Sequence, residues 1–308
     1  MDLALLIIAN IIPLYILIAL GYIAARKMDV NLNSIARLLI FFFAPFVTFG
    51  AILNIELNPA YILLPFILFG ISTFITLTSY RIAQPIYKDG NANLIGAGGV
   101  NGNTIYFGIP IVMALFGPTG VGIWVLMNLG PSINNFTLSY YLTARGNFSV
   151  RESVRKVLTL PTLHAAILAI IFNIMNFEMP DIGVQYWEYV TGGYVVLGMM
   201  MVGIALGKQA RFEFDLKLIS GFFLSKFIYW PLCLFALIFF DVYVLQLYSR
   251  DIHILLALYS AMPLIGNLVA YAAENNLHPE RAATAVLVSS IIAIVTIPLA
   301  YFVVNNLI

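Results

Sequence analysis

The chain alternates long apolar stretches with short polar interruptions. From Gly90 to Ala144, and again from Ala282 to Ile308, it holds no Asp, Glu, Lys, Arg or His. A helix needs about 20 consecutive apolar residues to cross a bilayer. Ten segments of that kind are predicted: Leu3 to Ala25, Ser34 to Leu53, Ala60 to Tyr80, Ala92 to Gly117, Gly120 to Leu142, Val157 to Phe177, Trp187 to Leu206, Leu216 to Phe240, His253 to Asn275 and Ala282 to Val304. Each is far longer than the roughly 9 to 11 residues of a membrane strand, and none alternates in polarity, so an all-α integral membrane protein is expected. Composition agrees: 62% of the 308 residues are hydrophobic and 9% are charged, against about 25% charged in soluble domains. Mean hydropathy is +0.97. The first segment is too long for a cleaved leader, and Arg26-Lys27 follows it rather than preceding it.

Charge sets an expected orientation. Arg26, Lys27, Arg37, Arg81, Lys88, Arg145, Arg151, Arg155, Lys156, Lys208, Arg211, Lys217 and Arg281 lie in or beside the odd-numbered loops, while the even-numbered loops hold only Arg250. The positive-inside rule then puts the odd loops in the cytoplasm and both termini outside, in a multi-pass protein of the cell membrane. Cutting at the basic loop Thr143 to Lys156 leaves five segments on each side, in residues 1–145 and 146–308. Because five is odd, the second set enters the membrane inverted, and inverted repeats are a transporter architecture. Pro65 in the third segment answers Pro231 in the eighth at a similar offset.

The fourth and ninth segments are interrupted by the same pair, Gly102-Asn103 and Gly266-Asn267. Unwound backbone at membrane depth is tolerated where it is packed in protein or lines a wet cavity, and matched interruptions in two halves point to a transporter's site. Packing alone is the other reading. The run GAGGVNGNTIYFGIP, Gly96 to Pro110, is a poor continuous helix, since each interior Gly costs about 0.8 to 1 kcal/mol relative to Ala. Asn103 and Asn267 are expected to cap second half-helices, Asn103 to Gly117 and Asn267 to Asn276. Two half-helix N-termini, each with about half a positive charge, would face each other at the membrane centre and suit an anion, most simply a carboxylate.

Candidate substrate groups near this crossing are Asn103, Asn267, Thr104, Asn101, Asn128, Gly102 and Gly266, with Ser132, Asn134 and Asn135 nearby. Pro110 and Pro263 are structural candidates, and Ser289, Ser290 and Lys226 are candidates for ion coupling. Amides and hydroxyls can bind a carboxylate or Na+. They can equally be interhelical hydrogen bonds worth about 0.6 kcal/mol each. Lys226 at depth is a functional candidate by default, with snorkelling as the alternative. His164 could relay protons, or be structural. Asn147-Phe148-Ser149 fits a glycosylation acceptor, but its loop is predicted cytoplasmic. Enzyme signatures such as GxSxG, HExxH and CxxC are absent. Three histidines and Cys233 offer no metal cluster, and no basic-aromatic pattern implies nucleic acid.

NTIYFGIPIVMALFG, Asn103 to Gly117, and AMPLIGNLVAYAAENNLHP, Ala261 to Pro279, resemble the two crossover segments of the auxin efflux carrier family, which includes plant PIN-type carriers and bacterial permeases. The similarity runs through all ten segments. It implies a homodimer in which segments 1, 2, 6 and 7 form a scaffold and segments 3 to 5 and 8 to 10 a transport domain. The implied substrates are small organic anions, indole-3-acetic acid in plants and dicarboxylates in bacteria, moved by an elevator mechanism. The family's crossover asparagine matches Asn103, and its polar residue on the fifth segment falls near Asn128. Plant carriers place proline at the breaks where this chain has Gly102 and Leu268, and their long central loop is short here, as in a bacterial or archaeal homologue. No cofactor is expected beyond Na+ or H+ coupling, and with no Asp or Glu at the site Na+ is chemically easier. A passive anion channel and a sodium-coupled symporter resembling bile acid carriers are the alternatives.

Overall fold

The computed structural model describes residues 3–54, 61–208 and 215–307. Ala60, Arg211 and Ile308, used above, lie outside them, as does the side chain of Tyr106. Among the described residues every named element is helical, and the only strand-like pairing is one isolated bridge. In chain order the helices are α1 Leu3–Lys27, α2 Leu32–Leu53, α3 Leu64–Ala83, α4 Asn91–Gly98, α5 Ile109–Asn134, α6 Tyr140–Arg145, α7 Val150–Leu158, α8 Pro161–Ile174, α9 Asp181–Gly207, α10 Leu216–Leu245, α11 Arg250–Ala261, α12 Asn267–Glu274 and α13 Pro279–Leu307. Five of them, α2, α3, α9, α10 and α13, are long and apolar enough to cross a membrane; α7 and α8, bent by 43° at a short break, pass the same test together. This is a multi-pass membrane protein.

Proline placement explains several irregularities. A proline lacks the N–H that a helix interior needs, and its ring crowds the carbonyl four residues back. In three places a wider π-turn lies just before one: Leu39–Phe43 before Pro45, Thr104–Gly108 before Pro110, and Leu224–Tyr229 before Pro231. The extra residue re-routes the carbonyls that proline cannot serve. Pro65, by contrast, sits in the first turn of α3, where a missing donor costs little. The two prolines matched in sequence therefore play different local parts.

Glycines allow the closest helix contacts. A Cβ on Gly203 of α9 would lie 1.9 Å from the Ile18 carbonyl of α1, and one on Gly21 would lie 2.0 Å from that of Met200. Backbones in contact are how apolar helices associate in lipid, where burying leucine yields nothing. Gly130 of α5 meets the Pro65 carbonyl of α3 in the same way, at 1.9 Å. Gly117, at φ 65° and ψ −163°, is the one non-helical residue inside α5 and bends it where the fourth predicted segment ends. Helix α1 packs on α9, α2 on α8, and α3 on both α4 and α5, while α13 backs α11 and α12.

Candidate functional site

Two breaks meet inside the helical bundle. Helix α4 stops at Gly98 and helical structure resumes at Thr104; α11 stops at Ala261 and α12 starts at Asn267. Unwinding frees backbone donors and acceptors that lipid cannot satisfy. The two breaks satisfy each other: Asn103 N–H donates to the Pro263 carbonyl at 2.7 Å, and Ile265 N–H donates to the Asn101 carbonyl at 3.1 Å. This is an antiparallel bridge between Gly102 and Leu264. Ser289 Oγ of α13 accepts the Leu264 N–H at 3.0 Å. The sequence expected broken helices crossing at Gly102 and Gly266; both breaks are present, the second over residues 262–266 with α12 resuming at Asn267.

A cleft of about 920 Å3, its open mouth included, lies against the crossing. Asn101, Gly102, Asn103, Thr104, Asn128, Gly266 and Asn267 all line it, as do Ser132 and Asn135. Ser289, Ser290, Lys226, Pro110, Pro263 and Asn134 do not. Ser290 bonds within its own helix, to the Val286 carbonyl, and Asn134 pairs with Thr73 and Thr76 of α3. Ile105 reaches the cleft, whereas Phe107 is buried away from it.

The asparagines depart from the expected capping. Asn103 occupies the position before the Thr104 turn, but its side chain makes no capping bond; its Nδ2 is buried without any partner. Asn267 is the first residue of α12, and its Oδ1 accepts from the Tyr194 hydroxyl of α9. Neither amide is spent on a helix end, so Asn103 keeps a donor to offer a guest. Asn128 is more heavily engaged. Its Oδ1 accepts from Thr104 Oγ1 at 2.8 Å and from the Tyr259 hydroxyl at 2.7 Å, while its Nδ2 donates to Ser132 at 3.0 Å. Asn101 donates to the Ala97 carbonyl at 2.9 Å and to Ser139 at 2.7 Å. Helix dipole and chemistry agree at the mouth: the N-terminus of α12 opens into the cleft, and no Asp or Glu is among its lining residues.

Lys226 does not reach for the membrane surface. It is fully buried in the π-turn of α10, donates to the Val100 carbonyl at 3.2 Å, and sits 5.7 Å from the Trp230 ring. A Cβ on Gly102 would lie 3.2 Å from its Nζ, so the amine stands directly behind the first break. Among the described residues no carboxylate pairs with it. Sequence reasoning missed Tyr194, Tyr259 and Trp124, whose Nε1 donates to the Thr104 carbonyl at 3.0 Å. Nothing in the pattern separates them from the chain's other aromatics. It also passed over Asp241, which at the end of α10 accepts from Leu247 and Tyr248 N–H and from His253 at 2.8 Å, tying α10 to α11. His164 bonds only the Leu160 carbonyl one turn back, and Asn147 donates to the Asn275 and Asn276 carbonyls at the end of α12.

A family model described as a membrane transport protein matches residues 6–301. The chain is also similar to the uncharacterized transporter MJ1031 of Methanocaldococcus jannaschii, with 26% identity over 181 residues. That alignment covers 56% of this chain and 58% of the relative, so the chain spans a little over half the length of the curated relative it matches.

Proposed function

We propose, from the premise that this chain belongs to the membrane transport protein family of auxin efflux carriers, that it is a secondary carrier of small organic anions, carboxylates such as indole-3-acetate or dicarboxylates. The guest would sit in the cleft against the bridge between Gly102 and Leu264. One observation carries this reading: the buried, unpartnered Nδ2 of Asn103 beside a cleft that has no acidic side chain on its wall. An amide donor in a low-dielectric site earns its stability only when an acceptor arrives, and a charged acceptor is worth about 1.5 to 3 kcal/mol. The α12 N-terminus and Lys226, in its protonated form, add positive potential from two sides.

The wider architecture is part of the same reading. Ten membrane-crossing segments form two inverted repeats of five, residues 1–145 and 146–308, with both termini outside the cell membrane. Helices α1, α2, α8 and α9 serve as scaffold in a homodimer; α3 to α6 and α10 to α13 travel as an elevator. Tyr194 and Arg37 are the scaffold's polar contacts with α12, through Asn267 and through Glu274 at 2.9 Å. For coupling, the amides and hydroxyls of the cleft suit Na+ better than H+, and uniport is the alternative. The test is uptake of radiolabelled malate and indole-3-acetate into proteoliposomes. Asn103→Ala is expected to lower uptake about ten- to one-hundred-fold, with Asn103→Asp worse still for an anionic guest. Undiminished uptake by Asn103→Ala removes that residue from the site, and unitary currents would replace the carrier by a channel.

A further inference from the structure

Helix α7 carries an uncovered surface remote from the crossing. Val150, Val154 and Leu158 recur every fourth residue and are 55%, 42% and 59% exposed, which makes one apolar stripe along the helix. Arg151 and Arg155, one position further round, border that stripe and are also exposed. The acid of the helix is engaged elsewhere. Glu152 accepts from Ser149 N–H at 2.9 Å and from the Ser149 hydroxyl at 2.6 Å, closing a capping box at the N-terminus. Those bonds hold its carboxyl below the usual glutamate value. Among the described residues no carboxylate pairs with Arg151 or Arg155.

An apolar groove of about 680 Å3, its open side included, adjoins the stripe. Phe69 and Leu77 of α3, Leu138 and Tyr141 beyond α5, and Val154 and Leu158 of α7 form its walls. Its two threonine hydroxyls are already bonded, Thr137 to the Ile133 carbonyl and Thr73 to Asn134. Phe69, Thr73 and Leu77 follow one another at helical spacing, so the groove runs about 12 Å along a helix apolar enough to cross the membrane.

We propose that this surface binds one anionic phospholipid, its phosphate held by Arg151 and Arg155 and an acyl chain lying in the groove between α3 and α7. A guanidinium matches a phosphate's oxygens in pairs and is weakly hydrated, which suits it to the headgroup level. A basic helix with an exposed apolar stripe lies in the membrane interface rather than in water. The groove supplies what a soluble phosphate or an acidic protein would not use, a dry channel leading from the cations into the hydrocarbon. The bound lipid would fasten α7 to α3 and α5.

The experiment is native mass spectrometry of the full chain in mild detergent with equal amounts of phosphatidylglycerol and phosphatidylcholine. The wild type is expected to retain one phosphatidylglycerol preferentially. Arg151→Gln with Arg155→Gln is expected to lower that preference about twenty-five-fold, about fivefold for each arginine. Both side chains are exposed, and an unchanged melting temperature in phosphatidylcholine alone verifies the fold. Leu77→Trp, which fills the groove and keeps the arginines, is expected to release the lipid as well. Equal retention of phosphatidylglycerol by the double variant and the wild type overturns the site, and so does its displacement by glycerol phosphate at equal concentration. The readout is binding rather than flux, so it stands apart from the transport reading.

Discussion

The two breaks that cross at the centre of this protein share a Gly-Asn pair and differ in what surrounds it. At the first, Gly102 is enclosed: a Cβ there would lie 3.0 Å from Met262 Cβ and 3.2 Å from Lys226 Nζ. At the second, a Cβ on Gly266 would meet nothing within 4 Å. The first asparagine is buried with an idle donor, while the second already has a tyrosine hydroxyl on its oxygen. One glycine is required by packing, and the other leaves room. The bridge between Gly102 and Leu264 thus has a rigid face toward Lys226 and an open face toward the cleft.

The comparison breaks most readily at Gly102. Gly102→Val forces carbon against Met262 and the buried amine, and overpacking of this kind costs about 1 to 3 kcal/mol or more. It is expected to lower the melting temperature in detergent by several degrees and to abolish uptake; a wild-type melt would mean that the first break is not held by packing. A smaller loss is expected at Ser289. Removing its hydroxyl in Ser289→Ala leaves the buried Leu264 N–H unserved, at a cost of about 1 to 3 kcal/mol. Ser290→Ala, which cuts only a bond within its own helix, is the control and is expected to melt near the wild type. Equal melting of the two serine variants would mean that α13 does not support the second break.

The breaks were legible because they violate a pattern: glycines and asparagines in the middle of apolar runs have no reason to be there in an unbroken helix. The absence of acidic groups from Gly90 to Ala144 was equally plain, and it is reflected in the cleft wall. What the chain did not disclose is which partners each side chain takes. Asparagine is a good helix cap, so capping was the natural expectation for Asn103 and Asn267; tertiary contacts overrode it, the Asn103 N–H bonding the Pro263 carbonyl and the Asn267 Oδ1 accepting from the Tyr194 hydroxyl. Lys226 could equally have reached the interface by length alone. The carbonyl of Val100, exposed by unwinding on another helix, and the Trp230 ring give it reasons to turn inward. Tyr194 and Tyr259 were hidden for a different cause: among 17 tyrosines, a hydroxyl that meets a distant asparagine has no local signature. Helix positions were legible in outline, but not the start of α9 at Asp181, ahead of Trp187, nor the continuity of α5 through Gly117, nor α7, where a capping box and an amphipathic turn precede the apolar run of α8.

The finest test concerns the open face. Gly266 has ordinary helical angles, φ −60° and ψ −27°, so a side chain there meets no backbone strain, and the space beside it is the cleft itself. Gly266→Ala is therefore expected to melt within about 0.5 kcal/mol of the wild type. Its methyl group occupies room that a guest would use, so uptake of the bulkier indole-3-acetate should fall before that of malate. Gly266→Leu extends the same series, with uptake of both anions lost while the melt is preserved. If the leucine variant transports at the wild-type rate, the guest does not pass Gly266, and the open side of the bridge is a packing void instead of a binding surface.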